Sequence, residues 1–230
     1  MIPAVANRKL AEFCDVFCEK GVFNLMQSKK ILLSGKKHGL TPKLHADEMT
    51  KLGGAELAAE LEAISASHLL FASDEGLKAM AKNGVIAVLL PGTSFSLMTG
   101  RYADARKMIQ WGVPVALGTD YNPSCWVESQ QIIIALACHE MSMTPAETIA
   151  AVTINAAHAL NRARVVGSLE AGKKADVAIL NVPNHKFLGY RFGTNLIDKV
   201  IKNGKLVVDE GKMIKKLPHF SKTYNNSFPF

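Results

Sequence analysis

The chain has 230 residues, of which 48% are apolar and 20% are charged, an ordinary composition for a globular protein. This length allows one large domain, or one domain with a small appendage. The sequence contains no run of about 18 apolar residues, which a membrane-spanning helix would need. Residues 1–9 lack the apolar core of a secretory signal.

Charge and cysteine content narrow the class further. The formal net charge is +7, but the lysine doublets are scattered and no aromatic residues are interleaved with them. This pattern predicts a solvated surface and no nucleic-acid partner, although an anionic substrate would benefit from the excess. The four cysteines are few and irregularly spaced, which predicts reduced thiols and a cytoplasmic protein.

Short apolar runs alternate with helical patterns over the first two thirds of the chain, as is typical of parallel βα units. The predicted strands are residues 13–17, 43–46, 66–70, 85–90 and 113–118. The predicted helices are residues 26–37, a stripe at 57, 61 and 64, a segment bounded by Ser73 and Gly84, residues 103–111, and residues 128–141. Thr144-Pro145-Ala146-Glu147 is a capping box with proline at the first helical position, and it opens helices that reach about residue 160.

From Gly167 onwards the pattern changes to a turn-rich segment that leads into a strand at residues 177–180. Residues 199–201 and 206–208 flank Asn203-Gly204, a strong hairpin signal. The predicted organisation is therefore five units of a TIM-type (β/α)8 barrel over residues 1–165, a small β element over 166–214 and a loose tail over 215–230.

Three side chains that carry chemistry stand where a buried strand would stop: His45, His68 and Asp120. The carboxyl ends of parallel barrel strands meet at one mouth, so these side chains are expected to converge. Imidazole nitrogen and carboxylate oxygen both bind zinc or iron, and His68 could instead act as a general acid or base. Taken singly, each histidine could be an ordinary core or surface residue, and Asp120 could cap a helix or form an Asx turn before Pro123. Their shared placement favours a hydrolytic metal site.

At these residues the chain resembles the amidohydrolase superfamily and, within it, the imidazolonepropionase family, whose members open the imidazolone ring in histidine breakdown. The resemblance covers about residues 1–214. It lies in Asp15-Val16-Phe17-Cys18-Glu19, Leu44-His45-Ala46-Asp47-Glu48, His68-Leu69, Val88-Leu89-Leu90-Pro91-Gly92-Thr93, Gly118-Thr119-Asp120-Tyr121-Asn122-Pro123, Thr153-Ile154-Asn155-Ala156-Ala157 and Gly167-Ser168-Leu169-Glu170-Ala171-Gly172.

The resemblance implies a (β/α) barrel followed by part of a small β-sandwich, with one mononuclear Zn²⁺ or Fe³⁺ site. His45 and Asp120 are implied as metal ligands, and Asp120 also as the group that takes a proton from the attacking water. His68 would polarise or deprotonate near the attacked carbonyl, and Glu48 would hold the substrate ring. The implied reaction is hydrolysis of 4-imidazolone-5-propanoate, a cyclic amide, to N-formimidoyl-L-glutamate.

Asn122, Ser124 and Cys125 are implied to hold the propionate end of the substrate or the ring-opened product. The family more often has glycine followed by serine or threonine at the last two of these positions. Cys125 is the sharper departure, because a thiol is a poorer hydrogen-bond donor than a hydroxyl.

The superfamily's first metal pair is a His-x-His motif, and no His-x-His occurs in this sequence. Together with the count of five strands, this predicts the C-terminal part of a longer enzyme, with an incomplete metal site, no activity alone and low stability. Related enzymes commonly form dimers, so a homodimer is a possible state of the full-length enzyme, and no membrane partner is expected. The alternatives are another cyclic amidohydrolase or deaminase of the superfamily, or a non-catalytic scaffold or partner half.

Overall fold

Two β-sheets and ten helices make up the part of the chain that the computed structural model describes, residues 1–214. Residues 215–230, for which a loose tail is predicted, lie outside the described residues. The first sheet contains the strands β1 (Phe13–Cys18), β2 (Thr41–Ala46), β3 (Ser65–His68), β4 (Ile86–Leu89) and β5 (Val115–Leu117). The second contains β6 (Val177–Leu180), β7 (Ile197–Lys202), β8 (Lys205–Asp209) and β9 (Lys212–Met213).

Most of the helices connect and cover the strands of the first sheet, whereas α1 precedes β1 and α10 lies between β6 and β7. In chain order they are α1 (Ile2–Asn7), α2 (Leu25–Lys37), α3 (Gly54–Glu60), α4 (Asp74–Asn83), α5 (Pro91–Ser96), α6 (Ala105–Gln110), α7 (Gln130–Glu140), α8 (Pro145–Val152), α9 (Ile154–Ala159) and α10 (Phe187–Tyr190). Two predicted caps are present: Ser73 accepts from the Gly76 amide, and Thr144 and Glu147 form the reciprocal capping box.

The first sheet is entirely parallel, with its strands in chain order from β1 to β5. This confirms the prediction of an α/β fold built on a parallel sheet. One face is packed against helices through a continuous apolar core that includes Leu44, Leu89 and, from the helices, Leu32 and Met80. The burial pattern alternates along β1 and β2, so their other face is only partly covered. The side chains that carry chemistry are on that partly covered face.

Two predicted boundaries are wrong for identifiable reasons. The stripe of residues 57, 61 and 64 does not mark one helix, because α3 ends at Glu60 and Leu61 is its C-cap. The strand predicted to reach residue 70 stops at His68, since His68 and Leu69 have φ values of 72° and 61°, which a strand cannot continue through.

Several short elements were not predicted. Pro91 was interpreted only as the end of a strand, but it is also the first residue of α5, a position that suits proline because no amide hydrogen is needed there. The helices α1 and α10 and the two-residue strand β9 are too short to give a periodic pattern.

The second sheet is antiparallel, in the order β6-β7-β8-β9. The predicted hairpin is confirmed: β7 and β8 pair directly across Asn203-Gly204, and both residues have the positive φ that such a turn needs. Leu188 of α10 and Leu196, immediately before β7, pack on Ile134 of α7 and join the two parts of the chain. Within residues 1–214, no helix has both the length and the apolar character needed to cross a membrane.

Candidate metal and active site

Three ligand-type side chains from three strands meet at the carboxyl edge of the parallel sheet. His45 precedes the last residue of β2, His68 ends β3, and Asp120 follows β5 by three residues. One ligand atom from each lies within 4.8 Å of the other two. The structure therefore brings together the three side chains that the sequence pattern singled out, and their roles stay predictions.

Backbone strain helps to produce this convergence. The parallel register pairs His68 with Ala46, so a regular strand would place the His68 side chain on the face opposite His45. His68 instead has φ +72°, and Asp120 has φ +53°, both in the left-handed region that non-glycine residues rarely adopt. Such strain is concentrated at functional sites, and here it directs side chains into the shared mouth.

The imidazole of His45 is held by β1. Its Nδ1 lies 3.0 Å from Oδ1 of Asp15, and its ring meets that of Phe17 edge-on at 6.1 Å between centroids. The hydrogen bond to Asp15 is the main reason that the pKa of His45 is raised above its ordinary value, and it outweighs the effect of burial.

The pKa of His68 is shifted in the opposite direction to that of His45. It is 3% exposed, and burial lowers its pKa to about 4, although the nearby Asp120 carboxylate acts in the other direction. His68 Nε2 lies 3.5 Å from Oε2 of Glu48 and 3.9 Å from Oδ2 of Asp120. Because the imidazole is neutral at pH 7, neither contact is an ion pair, and the ring is free to accept or relay a proton.

Glu48 is placed beside this imidazole by the loop after β2. Burial, followed by repulsion from Asp120, raises the pKa of Glu48, so this carboxyl retains a proton more readily than an exposed glutamate. The structure thus places Glu48 next to His68, and its role toward the substrate stays a prediction.

Two buried carboxylates that were not predicted anchor that loop. Asp47 is fully buried and accepts hydrogen bonds from the four backbone amides of residues 52–55 at 2.8–3.0 Å. Glu19, also fully buried, accepts from the amides of Met49 and Thr50 and from the Thr50 hydroxyl. Glu48 therefore lies between two anchored positions: Asp47, which is bonded to the amides of residues 52–55, and Met49, whose amide is bonded to Glu19. Nothing in the local sequence marks these carboxylates, since their partners come from loops that only the fold brings together.

Asp120 has a partner that was also missed, Thr93 of α5. The buried Thr93 hydroxyl donates to Oδ2 of Asp120. Thr93 was quoted only as part of a matching stretch, without a role. Its hydrogen bond fixes the orientation of a carboxylate that is expected to bind metal.

The loop after Asp120 carries Asn122, Ser124 and Cys125, and two of these side chains make contacts within the loop. The Asn122 amide donates to the Asp120 carbonyl at 2.7 Å and accepts from the Ser124 amide at 2.8 Å, so both of its polar ends are engaged within the loop. The Cys125 side chain is 1% exposed, with Sγ 3.7 Å from the Thr119 carbonyl oxygen. Of the three residues, only Ser124 is exposed.

A cavity of about 260 Å³ opens next to the cluster. Its walls include Glu48, His68 and Thr93 on one side and Phe71 and Arg101 on the other. Larger cavities of about 600 and 670 Å³ lie elsewhere, and no metal-ligand group borders them within residues 1–214. We therefore take the smaller cavity as the binding space.

The donor set fits a metal ion on chemical grounds. Two imidazoles and one carboxylate are the ligands that zinc and iron use in catalytic sites, and such sites take three protein ligands or more. Asp15 is hydrogen-bonded to His45 and Thr93 to Asp120, and outer partners of this kind usually orient metal ligands.

Comparisons with known proteins agree with this description. The model of a family described as the amidohydrolase family matches residues 29–207. The chain is 60% identical over 215 residues to the imidazolonepropionase of Alkaliphilus metalliredigens and 61% identical over 214 residues to that of Geobacillus thermodenitrificans. In both cases 93% of this chain is covered, but only 51% and 50% of the relative. The chain thus spans about half the length of these relatives.

A solved structure shows the same fold at low identity. The crystal structure of an adenosine deaminase from Xanthomonas campestris, with bound zinc, superposes with a TM-score of 0.71 at 20% identity. The match covers 85% of this chain and 51% of that one. At this identity the likeness concerns the fold.

Proposed function

Because this chain belongs to the amidohydrolase family, we propose that it carries the His45, His68 and Asp120 part of an imidazolonepropionase site. The proposed reaction is hydrolysis of the cyclic amide of 4-imidazolone-5-propanoate to N-formimidoyl-L-glutamate, in a cytoplasmic enzyme of histidine degradation. The observation that carries the proposal is the convergence of the three donors within 4.8 Å, in a chain 60% identical to imidazolonepropionases.

The proposed architecture is a partial TIM-type barrel. The five parallel strands in chain order, with helices on one face, support this assignment, and so does the placement of the donors at the strands' carboxyl ends. The antiparallel sheet from β6 to β9 is proposed to be part of a β-sandwich. The catalytic unit is proposed to be a homodimer.

His45 and Asp120 are proposed to hold zinc or iron, with His68 close enough to join them. When bound, such an ion would act as a Lewis acid toward the amide carbonyl and would lower the pKa of the attacking water to about 7. Because the superfamily's His-x-His is absent from this sequence, further ligands are proposed to come from outside these 230 residues.

Each remaining step is assigned to a side chain of this chain. Asp120, oriented by Thr93, takes the proton of the attacking water. Neutral His68 assists at the carbonyl and passes a proton toward the leaving nitrogen, since it lies within 3.9 Å of Asp120. Glu48, with its raised pKa, holds the ring nitrogens by hydrogen bonds at the mouth of the cavity. Asn122, Ser124 and Cys125 are proposed to hold the propionate end, and Ser124 is the exposed member of the three.

The test begins with metal content and hydrolysis of 4-imidazolone-5-propanoate by the purified chain. A second arm adds zinc and the part of the Alkaliphilus metalliredigens relative that this chain does not match. We expect little turnover by the chain alone, turnover in the second arm, and its loss in Asp120→Asn. Normal turnover by Asp120→Asn would contradict the assignment, and adenosine serves as the substrate that tests the deaminase alternative.

A further inference from the structure

Asp15 is a carboxylate near the middle of β1 (Phe13–Cys18). In the parallel register, Phe17 is the partner of His45 and Asp15 is the partner of Lys43. Side chains two residues apart on a strand share a face, so Asp15, Phe17 and His45 are on the same, partly covered face of the sheet. The Asp15 carboxylate therefore reaches diagonally across to the His45 ring.

The contact is specific to His45. Asp15 Oδ1 lies 3.0 Å from Nδ1 of His45, a normal hydrogen-bond distance. Lys43, although opposite Asp15 in the register, directs its ammonium over the Phe13 ring at 5.4 Å from the centroid. Among residues 1–214, no ion pair within 4.0 Å joins Lys43 to Asp15. The Asp15 carboxylate thus contacts the His45 imidazole and not the Lys43 ammonium.

This contact determines which nitrogen of His45 can bind a metal. An ionised carboxylate can only accept hydrogen bonds, so Nδ1 of His45 must carry the hydrogen. The lone pair of the neutral ring is then on Nε2. The edge-on contact with Phe17, at 68° between ring planes, restrains the same ring from a second side.

We propose that Asp15 is a positioning residue, which holds His45 in the Nδ1–H tautomer and so presents Nε2 as the metal ligand. The inference rests on the metal site of the proposed function. It adds a residue that contacts neither metal nor substrate and acts only through His45. Outer carboxylates of this kind typically change metal affinity by about 10- to 100-fold.

The first experiment reads the tautomer without metal. Long-range ¹H–¹⁵N NMR of the metal-free chain, labelled at histidine and recorded at about pH 9, distinguishes Nδ1–H from Nε2–H, and His45→Gln assigns the signal. We expect Nδ1–H in the wild-type chain and a shift toward Nε2–H in Asp15→Ala. Asp15→Asn should retain Nδ1–H, because its amide oxygen can still accept. An Nε2–H tautomer in the wild-type chain overturns the proposal.

The second experiment measures, by calorimetric titration, the zinc affinity of the same proteins, each complemented with the part of the Alkaliphilus metalliredigens relative that this chain does not match. Asp15→Ala should bind zinc about 10- to 100-fold more weakly than wild type, with Asp15→Asn between them. Glu60→Ala, which removes an exposed carboxylate paired with Lys29, is the matched control and should change nothing. Equal zinc affinity of Asp15→Ala and wild type overturns the proposal. If wild type binds no zinc even in the complemented protein, the proposed function fails, and the His45 tautomer still decides the role of Asp15.

Discussion

His68 and Glu48 face each other with Nε2 and Oε2 3.5 Å apart, and their side chains are only 4% and 15% exposed. Burial lowers the pKa of the imidazole and raises that of the carboxyl. The ordinary preference of a proton for histidine over glutamate is therefore weakened at this pair. Two neighbouring proton-binding groups whose pKa values are shifted in opposite directions are well suited to acid–base work.

Replacing Glu48 by glutamine should reduce kcat more than zinc affinity. The amide keeps the shape of the side chain but cannot take up a proton, and Glu48 is not a proposed ligand. We expect kcat in the complemented, zinc-loaded enzyme to fall about 100-fold or more. Glu60→Gln, on the exposed end of α3, is the control. A kcat within twofold of wild type for Glu48→Gln would show that this carboxyl takes no part in the reaction.

Replacing Thr93 by valine should weaken zinc binding. Valine keeps the volume of threonine but cannot donate to Asp120 Oδ2, and a hydrogen bond to a charged group contributes about 1.5 to 3 kcal/mol. The expected loss in zinc affinity is therefore about 10-fold or more, measured by titration. Thr148→Val is the matched control, because Thr148 is equally buried but donates only to the Pro145 carbonyl in α8. A similar loss in both variants would mean that the effect is general destabilisation.

Replacing Asp47 by alanine should destabilise the fold. Four backbone amides, those of residues 52–55, would lose their acceptor at a site with no solvent exposure. We expect the free energy of unfolding in urea to fall by about 3 kcal/mol. Asp74→Ala, at the exposed first turn of α4, should cost less than about 1 kcal/mol. Equal unfolding midpoints for Asp47→Ala and wild type would be incompatible with the loop anchor described here.

Acid should weaken the contact between α6 and α8. Hydrogen bonding by Arg106 lowers the pKa of Glu147 from 4.5 to about 2. A carboxyl with a depressed pKa in the folded state stabilises the fold above its unfolded pKa, and this stability is lost as the pH falls from about 4.5 to about 2. The side chains are about one third exposed, so solvent screening reduces the expected loss to about 1 to 2 kcal/mol.

The measurement for Glu147 is urea unfolding between pH 6 and pH 3. Glu147→Gln should be less stable than wild type at pH 6, and the two should approach each other at pH 3. Glu60→Gln should instead follow wild type throughout. A constant difference between Glu147→Gln and wild type over this range would show that the ionisation of Glu147 does not contribute.

Local signals in the sequence predicted the architecture well. The apolar runs at residues 85–90 and 113–118 became β4 and β5, and the capping box at Thr144 opened α8. These signals depend on neighbouring residues alone, namely on apolar periodicity and on side chains that satisfy nearby amides. Short elements such as α5 were not predicted, because a helix of six residues is too short to show a periodic pattern.

The sequence by itself determined which residue types stand at the ends of the strands, and therefore that His45, His68 and Asp120 were candidates. Only the tertiary structure decided that they meet, through the parallel register and through positive φ angles at His68 and Asp120. It also decided that Cys125 faces the loop interior and that Asp15 reaches His45. The physical reason is that a strand end is marked by contiguous residues, whereas the partners of its side chains lie on other strands and helices, as Asp15 does for His45 and Thr93 does for Asp120.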